Sequence, residues 1–124
     1  MIKKIVVAGS RDYNDYAQAK DFIDFCIQKL RTEYTLVFVS GGCRGADAIG
    51  ERYAAENGFS VEIHPADWEG LGRCAGVMRN EQMACAADYV IAFWDGKSRG
   101  TRSMLQCAIK HARPVRVLYT GNDA

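Results

Sequence analysis

Short runs of β-branched and apolar residues alternate along the chain with longer stretches in which apolar residues recur every three or four positions. Lys4 to Ala8 (KIVVA) reads as a buried strand that stops at Gly9-Ser10, and Ala19, Phe22, Ile23, Cys26, Ile27 and Leu30 then follow helical spacing. Thr35 to Val39 is a second strand running into Ser40-Gly41-Gly42. A helix from about Ala46 turns Ile49, Tyr53 and Ala54 inward and stops at Asn57-Gly58. Val61 to His64 is a third, short strand closed by Pro65. A loop from Asp67 to Gly76 leads into a helix around Val77 to Ala87, and Tyr89 to Trp94 is a nearly continuous apolar strand of the kind found inside a parallel sheet. Thr101 is expected to cap a last helix whose inward face is Met104, Leu105, Ala108, Ile109 and Ala112. Pro114 then opens the strand Val115 to Tyr119.

Five strands and four helices in strict alternation predict an α/β three-layer sandwich around a five-stranded, mainly parallel sheet with right-handed crossovers. Nothing interrupts the pattern, so residues 1–124 read as one domain. In such sheets ligands bind where the carboxyl ends of the strands meet the following loops. The first loop is Gly9-Ser10-Arg11-Asp12; the second is Ser40-Gly41-Gly42-Cys43-Arg44-Gly45-Ala46-Asp47. Asp67-Trp68 through Arg79-Asn80 follow the third strand, and Asp95-Gly96-Lys97-Ser98-Arg99-Gly100-Thr101 the fourth. Topology puts all four on one edge.

These loops carry the chemistry of an anion site. Glycines without Cβ let backbone N–H groups approach a phosphate, and a helix start adds its positive end, so Gly41, Gly42 and Gly45 with Arg44, and Gly96, Ser98, Gly100 and Thr101, are candidate ligand contacts. Neither loop is a P-loop, because no Gly-Lys-Ser/Thr closes it, and either glycine cluster also serves as a plain strand-to-helix turn. Gly9, Ser10 and Arg11 join them from the first loop. Arg11, Arg79 and Arg99 have the planar fork that clamps phosphate; Arg99, beside Lys97 and Arg102, reads equally as a solvated charge. Arg79 and Asn80 open a helix, where a cation opposes the dipole. Trp68 either stacks on a base or covers the core, and Asp47 either completes a helix start or holds a ribose hydroxyl. No nucleophile–base triad can be assembled.

Composition narrows the classes. With 48% hydrophobic and 25% charged residues the chain is an ordinary globular one, and its net charge of +1 argues against nucleic acid and membrane surfaces as partners. The five cysteines (Cys26, Cys43, Cys74, Cys85, Cys107) have no C-x-x-C pair, so free thiols, no metal and a cytoplasmic location are expected. No stretch approaches the roughly 20 apolar residues of a membrane span, and the start Met1-Ile2-Lys3-Lys4 is cut short as a signal by Arg11-Asp12.

VAGSRDY, VSGGCRGAD, HPADWEGLGRCAGVMRNEQM and AADYVIAFWDGKSRGT, in this order and over nearly the whole chain, resemble the YspA/YpsA-related branch of the SLOG superfamily. The resemblance implies a Rossmann-like fold similar to that of the Lonely Guy phosphoribohydrolases and the DNA-processing protein A domain. It also implies a small nucleotide or ADP-ribose-like ligand, in some members for sensing, and no cofactor. Arg79 matches the arginine of the hydrolases' R-K-x-x-M element with Met83 in register, but Asn80 replaces the lysine. Gly100-Thr101 match P-G-G-x-G-T-x-x-E, whose glutamate falls on Met104. A nucleoside-monophosphate hydrolase is therefore the alternative function, with Arg79 and Glu81 as candidate catalytic residues and Asp47 or Asp95 as substitutes. Hydrolases of this fold pair through helices, and Tyr13, Tyr16 and Phe25 suggest surface for a dimer.

Overall fold

The computed structural model describes residues 1–42, 44–64 and 75–121. Cys43, Pro65, Trp68, Cys74 and most of the 67–76 loop, all singled out above, lie outside them. The elements are β1 (Ile2–Gly9), α1 (Tyr16–Ile27), the single turn α2 (Leu30–Glu33), β2 (Thr35–Ser40), α3 (Ala46–Glu56), β3 (Ser60–Ile63), α4 (Ala75–Ala86), β4 (Tyr89–Trp94), α5 (Arg99–Lys110) and β5 (Val115–Tyr119). The sheet has the order β3-β2-β1-β4-β5, and every pairing is parallel. This is the α/β Rossmann-like sandwich that the alternation predicts, with α2 as an addition.

The pleat sorts the core into two layers. Ile5 and Val7 of β1, Phe38 of β2, and Ile91 and Phe93 of β4 face α1 and α3, where Ile23, Ile27, Ile49 and Tyr53 meet them. Val6 and Ala8, Val39 and Val90 face α4 and α5, against Met83, Ala84, Met104 and Ala108. Because both faces are covered, β4 and residues 5–8 of β1 read as unbroken apolar runs.

Three expectations change. Ser98, not Thr101, caps α5: its Oγ accepts from the Thr101 amide at 3.4 Å and the Thr101 hydroxyl at 3.1 Å, so Thr101 turns inward and is buried. With Thr101 inward, α5 buries Thr101, Met104, Cys107 and Ala108, whereas Ile109 is 74% exposed and Ala112 also faces out. Nor are Tyr13 and Tyr16 spare surface. Tyr13 stacks on Phe93 with ring centroids 4.9 Å apart, Tyr16 lies under Arg52 and donates to Glu56, and only Phe25 of the three is exposed. Cys26, Cys85 and Cys107 are free thiols. No helix among the described residues is long and apolar enough to cross a membrane.

Candidate functional site

The chain runs outward from β1 to β2 and β3, then returns to place β4 on the other side of β1. Between the carboxyl ends of β1 and β4, where this reversal leaves no connecting loop across the gap, a crevice is built into the topology. A cavity of about 450 Å³ occupies it. Gly9, Ser10, Arg11 and Asp12 form one wall, Asp47 of α3 and Arg79, Asn80 and Met83 of α4 a second, and Asp95, Lys97, Ser98, Gly100, Thr101 and Met104 a third.

The third wall is pre-shaped by hydrogen bonds. Asp95 Oδ1 accepts from the amides of Lys97 and Ser98, each at 2.8 Å, which folds the chain back toward the start of α5. The Ser98 amide first, then that of Lys97, holds the Asp95 carboxyl below the usual carboxylate range. Among the described residues, the Arg99 and Gly100 amides have no protein partner. Gly100 has nothing within 4 Å of where a Cβ would stand. A helix start with open donors therefore faces the cavity, as a phosphate site requires.

The second wall depends on a missing side chain. Arg79 Nη1 donates to the Gly41 carbonyl at 3.2 Å. A Cβ on Gly41 would stand 2.8 Å from Arg79 Nη1 and 2.9 Å from Asp47 Oδ2, so the guanidinium and the carboxylate converge over the bare backbone of Gly41. Asn80, 6% exposed, donates from Nδ2 to the Gly100 carbonyl at 3.3 Å and to Ser103 Oγ at 3.2 Å, tying α4 to the first turn of α5.

Of the candidates read from sequence, Gly9, Ser10, Arg11, Asp47, Arg79, Asn80, Ser98, Gly100 and Thr101 stand around this cavity, with Gly41 beneath Arg79. Gly42, Arg44, Gly45, Gly96 and Arg99 are not on its walls. Gly45 has φ +78°, and a Cβ there would lie 2.4 Å from the Ser10 carbonyl oxygen. Its task is to let α3 start against the first loop, where the Ala46 amide donates to the same Ser10 carbonyl at 3.3 Å. The Gly42 amide is taken by Ser40 Oγ at 3.0 Å, and that hydroxyl donates to Glu51 at 2.7 Å. Glu81 faces outward, bound by Lys110 and His111. Trp68 lies outside the described residues. Asp12 and Lys97 join the walls although neither was a candidate; the Asp-Gly-Lys-Ser turn signature was the available signal for Lys97.

Residues 3–70 match the family model described as YspA, cpYpsA-related SLOG family. The Gene 61 protein of Mycobacterium phage D29 is 41% identical over 120 residues, 92% of this chain and 94% of that protein. Among solved structures, DNA processing protein A from Streptococcus pneumoniae superposes with a TM-score of 0.68 at 23% identity, covering 94% of this chain and 50% of that one. The Helicobacter pylori DNA processing protein A does so with a TM-score of 0.68 at 21% identity, covering 98% of this chain and 67% of that one. The chain thus spans half the length of the pneumococcal protein, and at these identities the likeness speaks for the fold.

One expectation is corrected by this comparison. The net charge of +1 argues against nucleic acid as a partner, yet the structure of the H. pylori protein, of the same fold, is described for its single-stranded DNA binding mode. Phosphate contacts depend on where cations stand locally, and a sum over the molecule does not report that. The match over residues 3–70 and the 41% identity to a relative along nearly the whole chain place this protein in the YspA, cpYpsA-related SLOG family.

Proposed function

We propose that the cavity between β1 and β4 binds a phosphate-bearing, nucleotide-derived ligand of the nucleoside monophosphate or ADP-ribose kind, and that the protein acts as a binding module of the sensor type. The observation that carries this reading is the convergence of the open α5 start at Gly100 with Arg79 in one cavity. In this reading the phosphate rests on the open Gly100 amide at the start of α5, with Arg79 as the fixed cation and the exposed Arg11 and Lys97 closing over it. Asp47 and Asp95 are acceptors for sugar hydroxyls.

Binding rather than hydrolysis is favoured by Met104. It sits on the cavity wall, 2% exposed, at the position where the resemblance places the hydrolases' glutamate. An apolar thioether there neither stabilises an oxocarbenium-like state nor activates water.

Calorimetry with AMP, GMP, ADP-ribose, adenosine and a 5′-phosphorylated single-stranded oligonucleotide, run beside chromatographic detection of free base, tests the proposal. The expected result is saturable binding of phosphate-bearing nucleotides, weaker binding of adenosine, and base release no faster than in buffer. Binding of the oligonucleotide alone, or base release that disappears in Arg79→Ala, contradicts it.

A further inference from the structure

Resting on the reading of the cavity as a nucleotide site, we infer that Asn80 determines its specificity: Asn80 Oδ1 accepts a hydrogen bond from a ribose hydroxyl, so the site selects ribonucleotides over their 2′- or 3′-deoxy counterparts. Asn80 is nine-tenths buried, at 6% exposure, on the wall of the cavity. Both hydrogens of Nδ2 are already used, one on the Gly100 carbonyl and one on Ser103 Oγ. Turning the amide over would set Oδ1 against the Gly100 carbonyl, two acceptors face to face, so the chemistry fixes which atom is nitrogen. Oδ1 is then the remaining polar atom. It has no protein partner among the described residues, yet it is not sealed from solvent, and the space beside it is the cavity.

A partly buried acceptor without a donor is costly, so the ligand is selected for supplying one. Phosphate at neutral pH has no useful donor to offer. In a 5′-nucleotide the sugar is bonded directly to the phosphate, whereas the base lies beyond it. Since Asn80 is hydrogen-bonded to Gly100, where the phosphate is placed, the sugar is the part that reaches Oδ1. Asp47 and Asp95 on the neighbouring walls add acceptors and no donors, which suits the same diol.

The test is calorimetry of the wild-type protein with AMP, 2′-deoxy-AMP and 3′-deoxy-AMP, and with the GMP series. Removal of one of the two hydroxyls is expected to weaken binding about tenfold, the effect of leaving a buried acceptor unpaired. In Asn80→Leu the ratio between AMP and that deoxy form is expected to collapse toward one, as a double-mutant cycle requires for a direct contact. Equal affinity of the wild type for all three sugars overturns the inference and leaves the nucleotide site standing; a preference that survives unchanged in Asn80→Leu assigns it elsewhere and also overturns it. Absence of binding by every nucleotide removes both the site and the inference. The wild-type comparison needs no variant, so it decides the matter even where Asn80→Leu, which also releases Gly100, fails to fold.

Discussion

Arg79 Nη1 donates to the carbonyl of Gly41 at 3.2 Å, and a side chain on Gly41 would stand 2.8 Å from that same nitrogen. The glycine is what gives the arginine its place. Gly41→Ala is therefore expected to push the guanidinium out of position and to weaken nucleotide binding about tenfold, the scale of one charge-assisted hydrogen bond. Thermal unfolding should change less, because Gly41 has no left-handed backbone to lose. A variant that binds as well as the wild type would show that Arg79 does not hold the phosphate.

Arg79→Ala removes the contact outright, and a loss of about 1.5 to 3 kcal/mol in binding free energy is expected for phosphate-bearing ligands. Adenosine binding should be affected far less, which calorimetry reads directly. Equal losses for AMP and adenosine would assign Arg79 to the sugar or base.

Two glycines of similar appearance are expected to respond in opposite ways. Gly100 has open space at its Cβ position and lies in the first turn of α5, where a carboxylate favours the helix. Gly100→Asp should fold as stably as the wild type and lose phosphate binding. Gly45, with φ +78° and the Ser10 carbonyl 2.4 Å from a built Cβ, cannot take a side chain without moving the first loop. Gly45→Asp should destabilise the fold by on the order of 3 kcal/mol. Thermal melts of the pair, with binding measured on whichever is folded, check both statements.

Glu81 supplies a pH signature away from the cavity. It accepts from Lys110 Nζ at 2.9 Å and lies 2.7 Å from His111 Nε2. These bonds, Lys110 first, then His111 and Cys107, hold its carboxyl down to about 2 from an ordinary 4.5. A carboxyl depressed in the folded state stabilises the fold above its unfolded value and loses that contribution as pH falls through its folded value. The melting temperature should therefore drop between about pH 4.5 and 2. Glu81→Gln should flatten part of that drop while leaving nucleotide affinity at pH 7 unchanged; identical acid slopes would contradict the role given to this contact.

How much was legible in the residues follows from what each feature depends on. The strand Tyr89–Trp94 begins and ends where its apolar run does, because in the middle of a sheet covered on both faces nearly every position is selected for burial. Val115–Tyr119, at the sheet edge, is marked instead by Pro114 before it and its β-branched residues. The inward face of α5 was not legible at Ile109. A hydropathy stripe ranks Ile109 above Thr101, but the Thr101 hydroxyl finds Ser98 and so occupies an inward place that leaves Ile109 outside. The same holds in the loops. That Gly41, Gly45 and Gly100 permit close approach is visible in sequence; whether the approaching group is a guanidinium, a carbonyl or open space is decided by parts of the chain far away. Asn80 reads in the sequence as a candidate contact beside Arg79, but that its amide is anchored on the carbonyl of Gly100 is set by the fold.

Phosphate binding at the start of α5 is read out most directly by an amide nitrogen–proton NMR titration of the labelled protein with AMP. Saturable shifts centred on the open amides of Arg99 and Gly100 are expected, extending to Ser10 and Asn80 across the cavity, with far smaller changes when adenosine replaces AMP. Shifts that leave Arg99 and Gly100 unmoved, or that are the same for adenosine and AMP, would contradict phosphate binding at this helix start.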